Sequence, residues 1–175
     1  MLSWLRSQSA PGQTAAGLYG SIVTHARETS FYLAGGVPDT MEGRFGLIGV
    51  HMFLALERIR LEGDRGQEVA RALLEAFMTD MDDNMREIGI GDTVVPRRVK
   101  KAAAALQEHL AAYRGAVAAP DDRALTDLLA RYVYVAGDSG QPARLAAFMR
   151  RAAPHLNAQT WEALTAGTLS FPPFA

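Results

Sequence analysis

The chain has 175 residues, 49% of them hydrophobic and 21% charged, with a formal net charge of −1 at pH 7. This composition is typical of a single globular domain, and the small net charge argues against a large nucleic-acid footprint, so we expect no DNA partner. The sequence contains no cysteine, which excludes disulfides, thiolate catalysis and zinc–thiolate sites.

The N-terminal region has two interpretations. No acidic residue precedes Glu28, and Arg6 lies among several serines and threonines, as in a mitochondrial transit segment. The alternative is a short helix from Leu2 to Ser7, joined to the domain by a linker. We favour the second interpretation because the arginine content is low and a helical pattern resumes by Ala15.

Helical periodicity dominates the rest of the chain, and we find no convincing strand. The pattern predicts an all-α, single-domain bundle of about six to eight helices. We divide it into a short helix and linker (1–14), a helical core (15–136) and a C-terminal helical extension with a tail (137–175). The predicted helices are Ala15–Leu33, Met41–Glu62, Gln67–Ile88, Pro96–Val117, one from Pro120 to about Val135, Ala143–Ala153 and Gln159–Ala166.

The second of these helices is predicted to be the central one. Between Phe45 and Leu61 its apolar residues cover most of the circumference, and a helix that is apolar all round is buried. Its apolar run is too short to span a membrane, which needs about 20 residues. Gly46 and Gly49 weaken it intrinsically, so we expect a neighbouring helix to approach it closely. His51 lies inside it and is predicted to be a hydrogen-bonded core residue.

Charge is distributed unevenly along the chain. The stretch from Asp80 to Asp92 holds five acids and one arginine, and the stretch from Pro96 to Arg114 holds five bases and one glutamate. A cationic helix start opposes the helix dipole, so we expect acidic groups nearby, either from the first stretch or from a partner. The cationic residues are Arg97, Arg98, Lys100 and Lys101.

The acidic stretch invites an enzymatic interpretation. Asp80, Asp83 and Glu87 share a helix face, as do the carboxylates that hold Mg²⁺ in helical prenyl-diphosphate enzymes. The usual motif has a third aspartate where Arg86 stands, and no second acidic motif follows. We therefore expect a solvated helical face with an Asp82–Arg86 ion pair and no catalytic metal. We expect Asp80, Asp82 and Asp83 to hold the turn at 89–92 and the basic helix after it.

The methionines Met78, Met81 and Met85 lie on the same predicted helix as these acids. Methionine adapts to apolar partners of varied shape. The stripe is therefore compatible with a binding surface or with ordinary core. The four histidines fall on different predicted elements without metal-site spacing, so we predict no metal, cofactor or catalytic site.

Several segments in the right order resemble one family, the ubiquinol–cytochrome c reductase (bc1 complex) assembly chaperones. The resemblance covers about Leu18 to Val135. The segments that carry it are Leu18–Gly20, Phe31–Tyr32, Val37–Phe45, His51–Leu54, Asp80–Asp92 and Val99–Lys101 followed by Ala103.

The resemblance implies a chaperone rather than an enzyme. Mitochondrial members of this family act with a small partner subunit at the ribosome exit and hold newly made cytochrome b, whereas bacterial members are single chains. The chain resembles a bacterial member. We therefore expect a cytoplasmic location with peripheral contact to the inner membrane allowed, or the mitochondrial matrix if a transit segment is present.

We expect the client, newly synthesised cytochrome b, to contact a mixed apolar and basic surface. The predicted binding residues are Arg44, Met81, Met85, Ile88, Arg97, Arg98, Lys100 and Lys101. Two alternatives stay open: a metal-dependent prenyl-diphosphate enzyme, and a scaffold that docks at the ribosome through the basic helix without binding a client.

Overall fold

The structure is a computed structural model, and it describes residues 9–87, 89, 91, 93–134 and 140–174. These residues form eight helices and no strand, which confirms the all-α prediction. The helices are α1 (Ala10–Ala26), α2 (Thr29–Leu33), α3 (Met41–Arg60), α4 (Asp64–Glu87), α5 (Val95–Val117), α6 (Arg123–Tyr132), α7 (Pro142–Asn157) and α8 (Trp161–Thr165).

The first two helices differ from the single helix expected between Ala15 and Leu33. Ser9 caps α1 by accepting a hydrogen bond from the amide of Gly12 at 3.2 Å, so α1 starts at Ala10 and residues 10–14 are helical rather than linker. The chain then leaves the helix at Arg27 and Glu28 before α2 begins. The predicted helix from Leu2 to Ser7 lies outside the described residues.

Helix α3 is the centre of the bundle, as its apolar circumference predicts. It packs against α1, α4, α5 and α7, and its apolar residues from Leu47 to Ile59 are largely buried. Thr40 is the N-cap, since its Oγ1 accepts a hydrogen bond from the amide of Gly43 at 3.1 Å. This central helix determines where the other helices can lie.

The close approach expected at the α3 glycines is found at one of them. A Cβ atom on Gly46 would overlap the Tyr132 carbonyl oxygen and lie 2.9 Å from Cα of Val133. Only glycine therefore lets the end of α6 pack against α3. A Cβ atom on Gly49 would meet Leu106 at an ordinary 3.7 Å, so the prediction is wrong for this glycine.

The C-terminal helices pack into the same hydrophobic core as the rest. Leu145, Phe148, Leu156 and Leu164 are fully buried in it. Helix α7 continues through Pro154 to Asn157, whereas the sequence predicts its end at Ala153. A proline in a last turn removes only one hydrogen bond, which tertiary packing can offset.

Candidate interaction surface

The predicted binding residues fall mainly where α4 ends and α5 begins. We define the α4–α5 surface as Met78, Met81, Met85, Val94, Arg97, Arg98, Lys100 and Lys101. The two helices pack against each other, and the connection between them is short. The methionine stripe thus lies on the second half of α4, and the basic residues lie at the start of α5, the helix that follows and packs on it.

The methionines lie along the flank of α4, at the border between core and solvent. Spacings of three and four residues put Met78, Met81 and Met85 on one face. Met78 is 38% exposed, Met85 is half-buried, and Met81 is half-buried with part of its side chain against the core. Met81 is therefore partly a core residue, whereas Met78, which was not among the predicted site residues, is the most exposed of the three.

The basic residues all point outward from the start of α5. Val95 and Val99 are buried and anchor the first turns of the helix, so Arg97, Arg98, Lys100 and Lys101 are exposed. The first turn of α5 contains no acid and no side-chain cap. Within the described part of the chain, no ion pair links these four side chains to the acidic stretch. The positive charge is thus available to a partner.

Arg44, which was also predicted to bind the client, stands apart from this surface. Arg44 donates to Asp39 at 2.7 Å, and this hydrogen bond lowers the pKa of the Asp39 carboxyl. Its neighbour Phe45 contacts His109 of α5, about 12 Å along the helix from Lys101 at 1.5 Å per residue. Arg44 is therefore paired and not part of the basic cluster. Ile88 lies outside the described residues.

Asp80 does not lie on a solvated face, contrary to the sequence-based expectation. It is 5% exposed, and its Oδ2 accepts a hydrogen bond from the hydroxyl of Tyr19 at 2.9 Å. Burial raises the pKa of this carboxyl and, together with the neighbouring charge of Asp80, that of the Tyr19 phenol. Asp80 therefore joins α4 to α1 instead of holding the turn that follows α4.

The ion pair predicted between Asp82 and Arg86 is present, and the predicted role of Asp82 and Asp83 in holding the turn at 89–92 stays a prediction. Arg86 Nε donates to Asp82 Oδ2 at 2.5 Å, which confirms the predicted pair. Because Asp80 is turned toward Tyr19, it cannot share an outward metal face with Asp83 and Glu87. The described residues also contain no group of three or more acidic, histidine or cysteine side chains arranged for a metal.

A buried histidine pair is the feature that sequence reasoning missed. His25 of α1 and His51 of α3 are 2.8 Å apart through Nδ1 and Nε2, and His51 Nδ1 lies 2.8 Å from the Leu47 carbonyl oxygen. The hydrogen-bonded core role predicted for His51 is confirmed. Burial lowers the pKa of His51 to about 3 and also lowers that of His25. Both rings are therefore neutral at pH 7.

A second group of buried polar atoms lies between α3, α5 and α6. His109 Nδ1 and the Tyr113 hydroxyl are buried without a hydrogen-bond partner among the described residues. The His109 ring stacks on Tyr132 with centroids 3.8 Å apart, and Tyr113 packs against Phe53 at 5.6 Å. The rings of these residues pack closely in this interface, and these two polar atoms form no hydrogen bond within the described part of the chain.

An open groove of about 540 Å³ runs between α5 and α6. Its floor consists of small residues from α5 and its rim includes Asp127 and Arg131. The alanine-rich sequence of α5 is the signal that could have predicted it, because small side chains leave a shallow helix surface. It lies apart from the α4–α5 surface.

In the described part of the chain no helix is long and apolar enough to cross a membrane. The described residues form an all-helical bundle with exposed basic side chains at the start of α5. Comparison with known families defines the class further. The family model described as ubiquinol-cytochrome C chaperone matches residues 33–171. The chain belongs to this family.

A solved structure supports the same assignment. The crystal structure of the Cbp3 homolog from Brucella abortus matches this fold with a TM-score of 0.81 and 33% sequence identity, over 94% of this chain and 92% of that chain. No curated protein matches. The family match extends to residue 171, beyond the segment up to Val135 on which the sequence resemblance rests, so α7 and α8 lie within the family region.

Proposed function

We propose that this chain is an assembly chaperone for the cytochrome bc1 complex and that it binds newly made cytochrome b. The observation that carries the proposal is the family match over residues 33–171, together with a similar fold in the Cbp3 homolog.

We propose the α4–α5 surface as the client-binding site. Exposed methionine offers apolar contact that adapts to different partner shapes, and Val94, 42% exposed, adds to it. The four cations of α5 lie beside this apolar strip and would orient acidic loops of the client. A membrane-protein client presents both kinds of group where its helices meet the surrounding water. Arg44 and Ile88 were also predicted to bind the client. The Arg44 side chain already forms an ion pair with Asp39, so it is not part of the proposed site.

The function is tested in a deletion strain by measuring cytochrome b from its absorption spectrum and by immunoblot. We expect loss of cytochrome b and of the assembled complex, with restoration by the complete chain. A deletion strain with normal cytochrome b would refute the function.

The site is tested separately with photo-crosslinking residues at Met85 and Lys101. The matched control is Leu61, an apolar residue that is 57% exposed beyond the end of α3, away from the α4–α5 surface. We expect crosslinks to cytochrome b from the first two positions only. Equal crosslinking from Leu61, or none from Met85 and Lys101, refutes the site and leaves the function intact.

The unpaired cations also favour a second candidate, docking at the ribosome. Binding of basic side chains to RNA weakens steeply with salt. Co-sedimentation with ribosomes should then fall between 50 and 200 mM salt, on the order of a tenfold loss or more for several contacts, and should be lost when Arg97, Arg98, Lys100 and Lys101 become glutamine. Salt-independent co-sedimentation would contradict docking through this helix.

A further inference from the structure

The segment from Leu169 to Phe174 lies in a cleft lined by aromatic rings. The Phe171 ring is 4.9 Å from both His25 and His51, and the Phe174 ring is 4.6 Å from Phe31. Phe174 is only 7% exposed. The lining rings come from α1, α2, α3 and α7, so the cleft is formed by the main body of the bundle.

The backbone of this segment is held by side chains. Its residues make no backbone-to-backbone hydrogen bond within the described part of the chain. Gln159 bonds the carbonyl of Ser170 at 2.6 Å and its amide at 2.9 Å, while Pro172 and Pro173 have no N–H to satisfy. Extended proline-containing peptides are held in aromatic grooves in this way when they bind as separate ligands.

The contact between His25 and the segment is the longest in a row of polar contacts. Leu47, His51, His25 and Pro172 form a row of three contacts, of 2.8, 2.8 and 3.2 Å. Two neutral imidazoles supply two protons. Two protons cannot serve three contacts, so one of the three lacks a hydrogen bond. The contact between His25 Nε2 and the Pro172 carbonyl oxygen is the longest of them, and when the segment leaves, this carbonyl exchanges at most that one long contact for water.

The walls of the cleft are held in place independently of the segment. Helix α3 packs directly on α1 and α7, the His25–His51 contact links α1 to α3, and the rings of Phe31 and Phe148 touch at 5.1 Å. Removal of the segment would therefore open the cleft without dismantling the helices around it.

We propose that this cleft is a docking site for an extended segment with aromatic side chains three residues apart, and that Phe171–Phe174 of the chain itself occupies it until a client segment displaces it. The Arg144 guanidinium, 5.7 Å from the Phe174 ring centre, adds a cation–π contact for the second aromatic residue. Only the identity of the partner, an extended segment of the client, rests on the proposed function.

The cleft is tested by truncating the chain after Ser170 and titrating it with a fluorescent peptide of the sequence TLSFPPFA. We expect binding to the truncated chain and at least tenfold weaker binding to the complete chain, because the tethered segment competes at high effective concentration. The control peptide TLSAPPAA should not bind either chain. A folded truncated chain that fails to bind TLSFPPFA overturns the proposal.

A second variant keeps the proposal testable if the truncated chain fails to fold. The complete chain with Phe171→Ala and Phe174→Ala keeps its length and should also bind TLSFPPFA. If both variants lose their helical circular dichroism, the segment is an indispensable part of the core and the proposal fails. A wild-type dimer that dissociates in the double variant would make a second copy the partner, and would overturn the client assignment.

The client assignment is tested with a photo-crosslinker at Arg144, at the edge of the cleft. Crosslinks to cytochrome b should increase in the double variant relative to the wild type. Peptide binding without such crosslinks overturns the client assignment and leaves the cleft established. Normal cytochrome b in the deletion strain refutes the proposed function, and leaves peptide binding unaffected.

Discussion

Polar groups have different roles at the centre of the bundle and at the exposed start of α5. At the α1–α3–α4 centre, Tyr19 pairs with Asp80 and His25 with His51. At the start of α5, four exposed cations have no ion-pair partner in the described part of the chain. The centre therefore uses its polar groups to fix helix positions, whereas the edge keeps uncompensated charge that does nothing for the fold. The difference supports the proposal that the exposed edge takes part in client binding.

The largest effect should come from the central helix. Phe53 is 3% exposed and packs on Tyr113, so Phe53→Ala should lower the free energy of unfolding by about 3–5 kcal/mol. Leu61→Ala is the control, because this leucine is mostly exposed and its truncation should change stability by less than about 0.5 kcal/mol. The measurement is urea denaturation. Equal effects of the two variants would contradict the central position of α3.

The Tyr19 hydroxyl has a hydrogen-bond partner, whereas the Tyr113 hydroxyl has none among the described residues. Replacing each tyrosine by phenylalanine compares the two cases. Tyr19→Phe removes the hydroxyl that donates to the buried Asp80 carboxyl and should cost about 1–3 kcal/mol. Tyr113→Phe removes a hydroxyl that has no partner, and should leave the free energy of unfolding unchanged or higher. Thermal and urea denaturation of both variants check this. A loss in Tyr113→Phe as large as that in Tyr19→Phe would show that the Tyr113 hydroxyl has a partner such as buried water.

The histidine pair should make the centre sensitive to acid. Burial lowers the pKa of His51 from 6.5 to about 3. Between these two pH values the unfolded chain therefore binds a proton at this histidine and the folded chain does not. The contribution of His51 to the free energy of unfolding is complete above pH 6.5. It decreases by about 1.4 kcal/mol for each pH unit below that value, down to the pKa of the folded state. Urea denaturation at pH 7 and pH 5 should show a smaller loss in His51→Gln than in the wild type. Parallel losses would exclude His51 as the source.

Much of the fold follows from local sequence. The apolar circumference of α3 is a property of neighbouring residues, and it predicts the helix and its burial. The start of α1 at Ala10 was missed because Pro11 suggested a linker, although proline is compatible with a first helical turn. Local sequence does not predict which residues of different helices contact each other.

The candidate site illustrates this limit. The basic residues of α5 are a charge cluster that the sequence shows directly, and they are exposed in the structure. The burial of Asp80 was not predicted, because an aspartate inside an acidic stretch is usually solvated and its partner Tyr19 is 61 residues away. The His25–His51 pair was missed for the same reason, because no local pattern links two histidines on separate helices.

The smallest expected effect concerns the exposed edge, where stability and binding should change in opposite directions. Arg97 and Arg98 lie in the first turn of α5, where positive charge opposes the helix dipole. Arg97→Gln with Arg98→Gln should therefore raise the free energy of unfolding by about 0.3–1 kcal/mol at low salt, and the gain should shrink as salt screens the charges. The same double variant should recover less cytochrome b in crosslinking from Met85.

The matched control for that double variant is Arg71→Gln. Arg71 is exposed on α4, near Glu75 at 4.0 Å, and its neutralisation should change neither quantity by a measurable amount. A double variant that is less stable than the wild type would mean that the two arginines have a structural partner. A double variant that is more stable and still crosslinks normally would show that Arg97 and Arg98 are not needed for client binding. The apolar residues of the α4–α5 surface would then be the main remaining candidates for contact with the client.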